Sequence, residues 1–483
     1  MVAPGFIDLH THSDFTLPVH PGASSMIRQG VTTQVVGNCG FSPFPAGSEH
    51  AAELREYTSF IDAGIQWDQC GDAASFMAYL DSLPLACNVA IQVGLGTVRL
   101  ATLGFERRSP TPSEMARMKE HIHESFRAGV VGVSSGLVYP PGSYATTDEV
   151  IELVAVAATY QGFYSTHIRN ETRDLQKAVE EALAIARAAD IPLQLSHHKV
   201  IGSANWGSVE ATLATIDDAR AAGEDVLADQ YPYRAGSTAF TQIMPGWVLE
   251  HGIAGMRAAI LNPDRRQRIV ADMARPDAVR EFDPAAILLA EIPEGPNKRF
   301  EGRYLAEIAV ALGEDPIDVA LRLVVEEGTG ILMVVFGMSE DDVRRVMAHP
   351  AVAIASDGWT LDPAIGGKPH PRSYGTFARV LGTYVRTEHV LSLETAVHKM
   401  TGLPASRLLN SRRGLIEPGK IADLVVFDPQ AITDLATFDN PHQFSVGVEH
   451  VIVAGVSVVE HGEETGAPAG RVLRREGGAN PVE

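Results

Sequence analysis

The stretch Pro4-Gly5-Phe6-Ile7-Asp8-Leu9-His10-Thr11-His12 governs how the rest of the chain is read. An apolar run opens directly into His-x-His. Side chains alternate faces along a strand, so His10 and His12 point the same way. Two imidazoles on one face at a strand's end make half of a metal site. Taken alone, the pair also reads as two ordinary histidines near a terminus, because short motifs match by accident.

Working outward, the same kind of short apolar run recurs: Thr32–Cys39, Val89–Gly94, Gly129–Val138, Phe163–His167, Pro192–His197, Asp225–Tyr231 and Val352–Asp357. Continuous runs of Val, Ile and Leu suit parallel strands buried on both faces. Helical patterns separate them. Ser113–Ala128 carries apolar residues at helical spacing, and Leu175–Ala189 is rich in Ala, Leu and Glu. Val209–Ala222 and Asp341–Ala348 follow suit, and Thr146-Thr147-Asp148-Glu149 reads as a capping box opening Val150–Tyr160. Strands alternating with helices imply a parallel sheet, and eight such units imply a TIM-type (β/α)8 barrel of the α/β class.

Two stretches fall outside a plain barrel. Phe240 to Glu340 separates the seventh and eighth strands and is too long for an ordinary loop. It holds helical segments and reads as a lid insertion over the barrel mouth. Gly414–Pro429 and His450–Glu460 read as strands and turns of a small β module packed on the barrel. The expected division is therefore a barrel over residues 1–410, with 240–340 as the lid, and a β module over 411–483. Arg475–Glu483 reads as a loose tail.

Composition narrows the function. The 483 residues carry 60 acidic and 39 basic side chains, a net charge of −21, which speaks against a nucleic-acid partner. An anionic substrate would need local cations. No apolar run is long enough to cross a bilayer, and no signal peptide precedes His10. Three cysteines form no disulfide framework and fit a reducing cytoplasm.

The strand ends carry His12, Cys39, His167, His197, Tyr231 and Asp357. Barrel enzymes build their sites at those ends. Imidazole, thiolate and carboxylate are zinc ligands, and only the barrel brings His10, His12, Cys39, His167, His197 and Asp357 together. Each has a plainer reading: Cys39 as a small buried side chain, His167 as a cap, Asp357 before Gly358 as a turn. In His197-His198-Lys199, alternation puts His197 and Lys199 on one face, which makes His198 structural and aims Lys199 at the site. Arg372 offers a two-pronged match to a carboxylate, and Tyr231 and Ser237 offer hydroxyls.

The segments PGFIDLHTH, GNCGFSP, YSTHIRNE, QLSHHKV, DQYPYRAGST, ASDGW, KPHPRSYGTFARVLG and KMTGLPASRLL resemble the amidohydrolase superfamily, and within it the D-aminoacylases, or N-acyl-D-amino-acid deacylases. The likeness runs nearly end to end and is weakest in the lid and the tail. It implies that His10, His12 and Asp357 hold one metal, that His167 and His197 hold a second, and that Cys39 bridges them. The implied cofactor is one or two zinc ions, with other divalent metals able to serve. Many members of the superfamily bridge their metals with a carboxylated lysine from strand four; Val130–Val138 contains none. The implied reaction is hydrolysis of a small-molecule N-acyl-D-amino acid, with Asp357 as general base and acid. Lys199, Tyr231, Ser237 and Arg372 match the positions that bind the α-carboxylate in that family.

Two departures stand out. The segment Gly358–Pro371 between Asp357 and Arg372 is longer than the family pattern. Members also carry several module strands before the His-x-His strand, whereas Met1 nearly touches it here. That predicts missing N-terminal strands, an exposed sheet edge and marginal stability or poor solubility. The competing readings are a hydrolase of cyclic amides, hydantoinase-like or dihydroorotase-like, and a non-catalytic amidohydrolase-like scaffold. Oligomeric state is not legible.

Overall fold

In the computed structural model, which describes residues 1–47, 49–275, 282–364, 366–408 and 412–475, eight parallel strands follow the expected runs. They are β1 (Phe6–Asp8), β2 (Val31–Val36), β3 (Asn88–Gly94), β4 (Gly132–Gly136), β5 (Phe163–His167), β6 (Leu193–Leu195), β7 (Val226–Gln230) and β8 (Val352–Ile354). Neighbours in sequence pair in parallel from β1 through β7, and β8 joins β7. The ring is nearly closed by a Thr11–Gly358 bridge, with the Asp357 N–H donating to the His10 carbonyl at 2.8 Å. Every residue of all eight strands is buried, which suits their content of Val, Ile and Leu.

The barrel interior is layered. Ile7, Leu9, Val35, Ala90, Val131, Phe163 and Ala353 form a small cluster with Ala405 and Leu408, apart from the main core. Side chains from strands on opposite sides of a closed sheet meet only inside it. A second set is polar and mutually satisfied: the Gln92 amide donates to Asn38 Oδ1 at 2.9 Å, and Ser165 donates to Gln92 Oε1 at 2.8 Å. The helices pack outside. Pro112–Ala128 starts with a full capping box between Thr111 and Glu114. Thr146 caps Thr147–Thr159 alone, because the Glu149 carboxylate is drawn to Arg99 at 2.9 Å.

Between β7 and β8 the described residues build five α-helices and a three-stranded antiparallel sheet. Its central strand, Leu332–Phe336, lies between Ile287–Glu291 and Ala235–Ala239. The unit therefore begins at Ala235, and a boundary at Phe240 would cut it. A further sheet joins Leu424–Phe427, Val448–Val453, Val456–Glu460 and Glu463–Glu464. Its edge is not left bare at Leu424–Phe427: Val2–Pro4 pairs there antiparallel, which corrects the expected exposed edge at that strand. Val472 and Leu473 pair in parallel with Val89 and Ala90 of β3. Beyond residue 475 the expected loose tail lies outside the described residues, as does the expected module boundary at 410/411. No described helix is long and apolar enough to cross a membrane.

Candidate active site

All six expected ligand residues meet at the C-terminal ends of the barrel strands. His10 and His12 leave β1, Cys39 follows β2, His167 ends β5, His197 follows β6 and Asp357 follows β8. They form two groups of possible ligand atoms that share one residue: His10, His12, Cys39 and Asp357, and Cys39, His167 and His197. Cys39 Sγ lies 3.3 Å from His10 Nε2 and 3.4 Å from His197 Nε2. Asp357 Oδ1 lies 3.2 Å from Nε2 of both His10 and His12.

The backbone is bent to achieve this. Cys39, His197 and Asp357 have φ of 53°, 37° and 51°. Non-glycine residues in the left-handed region are rare and cluster where a site demands them. Gly136 permits the turn at Cys39, since a Cβ there would sit 2.0 Å from the Cys39 carbonyl oxygen.

Two carboxylates that the sequence reading missed stand behind the imidazoles. Asp229, in β7, accepts from His10 Nδ1 at 3.1 Å, from the His197 backbone N–H at 2.7 Å and from Gln194 Nε2 at 2.8 Å. Glu171 lies 3.3 Å from His167 Nε2 and 3.2 Å from His197 Nδ1. It also takes the Lys199 ammonium at 2.5 Å. Asp229 could have been found by its parity with Tyr231; Glu171 lies in a loop and has no such signal.

The donor set fits a cation. With Nδ1 of His10 committed to Asp229, the Nε2 lone pair of the neutral ring points at Asp357 Oδ1 and Cys39 Sγ, which are themselves acceptors. His12 Nδ1 and His167 Nδ1 are buried with no hydrogen bond. A bound cation would satisfy such atoms. Without a metal, protons fill that role. Burial would depress His12, but Asp357 and Cys39 outweigh it and push it up to about 9. Burial would raise Cys39, but His10 and His197 hold its thiol well below the ordinary range. Imidazole, thiolate and carboxylate together suit zinc.

The expected substrate residues are present but engaged. Arg372 is buried and reaches Asp357 Oδ2 with Nη1 at 2.7 Å and the Ser237 carbonyl with Nη2 at 3.3 Å. Its Nε is without a partner. The long Gly358–Pro371 segment thus still delivers Arg372 to the site. Burial would raise Asp357, but Arg372 and His10 hold it well below the usual carboxylate range. Lys199 donates to Glu171, to His197 Nδ1 at 2.9 Å and to the His197 carbonyl at 3.1 Å. Tyr231 lies beneath both cations, 4.9 Å from the Arg372 guanidinium carbon and 5.6 Å from Lys199 Nζ. Ser237 sits on the insertion sheet and donates its hydroxyl to the Met333 carbonyl at 3.0 Å. His198 faces away, 2.9 Å from Thr212 Oγ1. A cavity of about 530 Å³ opens above the site, lined by the barrel loops and the insertion.

Residues 1–459 match the Amidohydrolase family. The chain belongs to the amidohydrolase family. It is 38% identical over 479 residues to a D-aminoacylase of Alcaligenes xylosoxydans xylosoxydans, covering 98% of this chain and 87% of that protein. It is 38% identical to an N-acyl-D-glutamate deacylase of the same organism, covering 99% and 87%. Among solved structures, the N-acyl-D-glutamate deacylase of Bordetella bronchiseptica, complexed with zinc and a phosphonate mimic of the tetrahedral intermediate, superposes with a TM-score of 0.82. That match has 35% identity and covers 98% of this chain and 89% of the other. In this amidohydrolase, β4 reads Gly-Val-Ser-Ser-Gly and contains no lysine.

Proposed function

We propose that this amidohydrolase cleaves the amide bond of N-acyl-D-amino acids, giving a carboxylate and a free D-amino acid. The observation that carries the reading is the Cys39 thiol set between His10 and His197, which joins two ligand groups where β4 offers no lysine to do so. That arrangement favours a deacylase over a hydrolase of cyclic amides. The choice of the D-enantiomer rests on the relatives' activities. The complete donor set speaks against a non-catalytic scaffold.

His10, His12, Asp357 and Cys39 would hold one ion, and Cys39, His167 and His197 a second. Zinc, when bound, supplies a water acidic near neutral pH and a Lewis acid for the carbonyl. Asp357 takes a proton from the attacking water and hands it to the leaving nitrogen, which cannot depart as an amide anion. Arg372 keeps Asp357 ionised and therefore able to accept. The substrate α-carboxylate approaches Arg372 and Lys199, the two cations beside Tyr231. As it draws charge from Arg372, the grip on Asp357 loosens and the base strengthens.

The test is zinc content and acetate release from N-acetyl-D-methionine and its L-enantiomer, for wild type and Cys39→Ala. Zinc in the wild type, D-selective release and loss of both in the variant are expected. Bound zinc with no cleavage of either enantiomer would overturn the reading.

A further inference from the structure

The relatives named above include a deacylase for an amino acid with an acidic side chain, so the family alone leaves the side chain open. The cavity walls speak to it. On one side the loop after β2 contributes Phe41, Phe60 and Ile61. On the other, the insertion sheet turns Ile287, Met333 and Val335 inward. Those three are not scattered. Ile287 pairs with Val335 across the sheet, and Met333 and Val335 alternate onto one face. Gly236 lies opposite Val335 on the third strand, and Thr238 lies opposite Met333. The roof of the cavity is therefore one face of a small sheet, apolar along two of its strands.

Charge points the same way. Among the described residues lining the cavity, three side chains carry a fixed positive charge: Arg173, Lys199 and Arg372. Lys199 and Arg372 are buried against Glu171 and Asp357, whereas Arg173 is a largely exposed side chain at the rim beside Asp174. A fourth carboxylate, Asp283, lines the same space. The two buried cations serve the α-carboxylate in the function proposed above. A second carboxylate lodged under the insertion sheet would meet Ile287, Met333 and Val335, and a carboxylate buried without a partner is strongly disfavoured.

We infer that the substrate side chain is apolar, of the size of methionine, leucine or phenylalanine, and that the insertion sheet, through Ile287 and Val335, excludes glutamate and aspartate. This rests on the deacylase reading and narrows it. Room is not the constraint: a cavity of about 530 Å³ falls within the range that holds drug-sized ligands. The gap above Gly236 adds to that room, since a Cβ at that position would come 3.1 Å from the Tyr231 hydroxyl and begin to fill it.

The experiment compares kcat/KM of the zinc-loaded enzyme on the N-acetyl derivatives of D-methionine, D-leucine, D-phenylalanine, D-glutamate and D-aspartate. The apolar three should exceed the acidic two by at least about tenfold. In Val335→Arg, which puts a guanidinium on the roof, the glutamate-to-methionine ratio should rise at least about tenfold. If that variant fails to fold, the wild-type panel decides alone. Acidic substrates cleaved as well as, or better than, apolar ones would overturn this inference and leave the deacylase reading standing. Cleavage of none of the five by a zinc-loaded, folded enzyme would overturn both.

Discussion

Replacing Asp229 with asparagine separates its effect on metal binding from its effect on folding. Asp229 Oδ1 receives two donors, His10 Nδ1 at 3.1 Å and the His197 backbone N–H at 2.7 Å. Oδ2 receives Gln194 at 2.8 Å. Asparagine keeps the shape and one acceptor oxygen but removes the charge. The bonds to His197 N–H and Gln194 exist with or without zinc, so their change cancels in a metal affinity. The bond to His10 does not cancel, because a carboxylate behind the ring raises the basicity of the opposite nitrogen. A hydrogen bond to a charged group contributes about 1.5–3 kcal/mol and a neutral one about 0.5–1.5. The difference, roughly 1.4 kcal/mol, is about tenfold in affinity. Competition with a chromophoric chelator at fixed pH, with circular dichroism as the check on folding, measures it. One class of zinc should weaken about tenfold, the class containing His10, while the class containing His167 stays within about threefold. Unchanged affinity, or equal weakening of both classes in a folded variant, would refute the reasoning.

Gly136→Ala should displace the Cys39 turn, because the added carbon would lie 2.0 Å from the Cys39 carbonyl oxygen. A loss of about 1–3 kcal/mol in urea unfolding and at least a tenfold fall in kcat/KM are expected; unaltered activity would contradict the role given to that turn. Burial, aided by Lys199, pushes the His198 imidazole down to about 4 from an ordinary 6.5. A base with a lowered folded value contributes stability above its unfolded value and loses it as pH falls. Relative to His198→Gln at equal metal loading, wild type should therefore lose about 2 kcal/mol between pH 7 and pH 4.5. Parallel pH profiles in urea would show that His198 is not held neutral.

The barrel was legible because parallel strands covered on both faces are rich in apolar residues, as in Val352–Ile354. The six candidate ligand residues could be picked out because they lie where those runs end. What escaped was chemistry that only three dimensions create. Glu171 lies in a loop, and nothing in its neighbours says that the chain turns back onto His167 and Lys199. Lys199 and Arg372 read as open cations, yet each is matched by a carboxylate from a distant segment or across a loop. Ala235–Ala239 reads Ala-Gly-Ser-Thr-Ala, with no strand-forming pattern; it is extended because Leu332–Phe336 offers it a ladder. Val2–Pro4 is too short to show any period and is a strand only beside Leu424–Val426. The Thr146 cap was half right because Arg99, far off in sequence, claims Glu149.

The left-handed turns at Cys39, His197 and Asp357 bear on how variants of this enzyme would sort in a screen. Glycine adopts that conformation freely, whereas a residue with a side chain gives up roughly 1 kcal/mol or more to hold it. In most proteins the changes that hurt activity most also hurt folding, and the two readouts rise and fall together. At Cys39 they run in opposite directions, since glycine relieves the backbone while deleting the thiol; at Asp357 glycine also strands the buried Arg372, and folding loses as well. A selection for expression or heat resistance alone would therefore be blind to loss of the Cys39 thiol, and a stabilising campaign should hold Cys39 fixed.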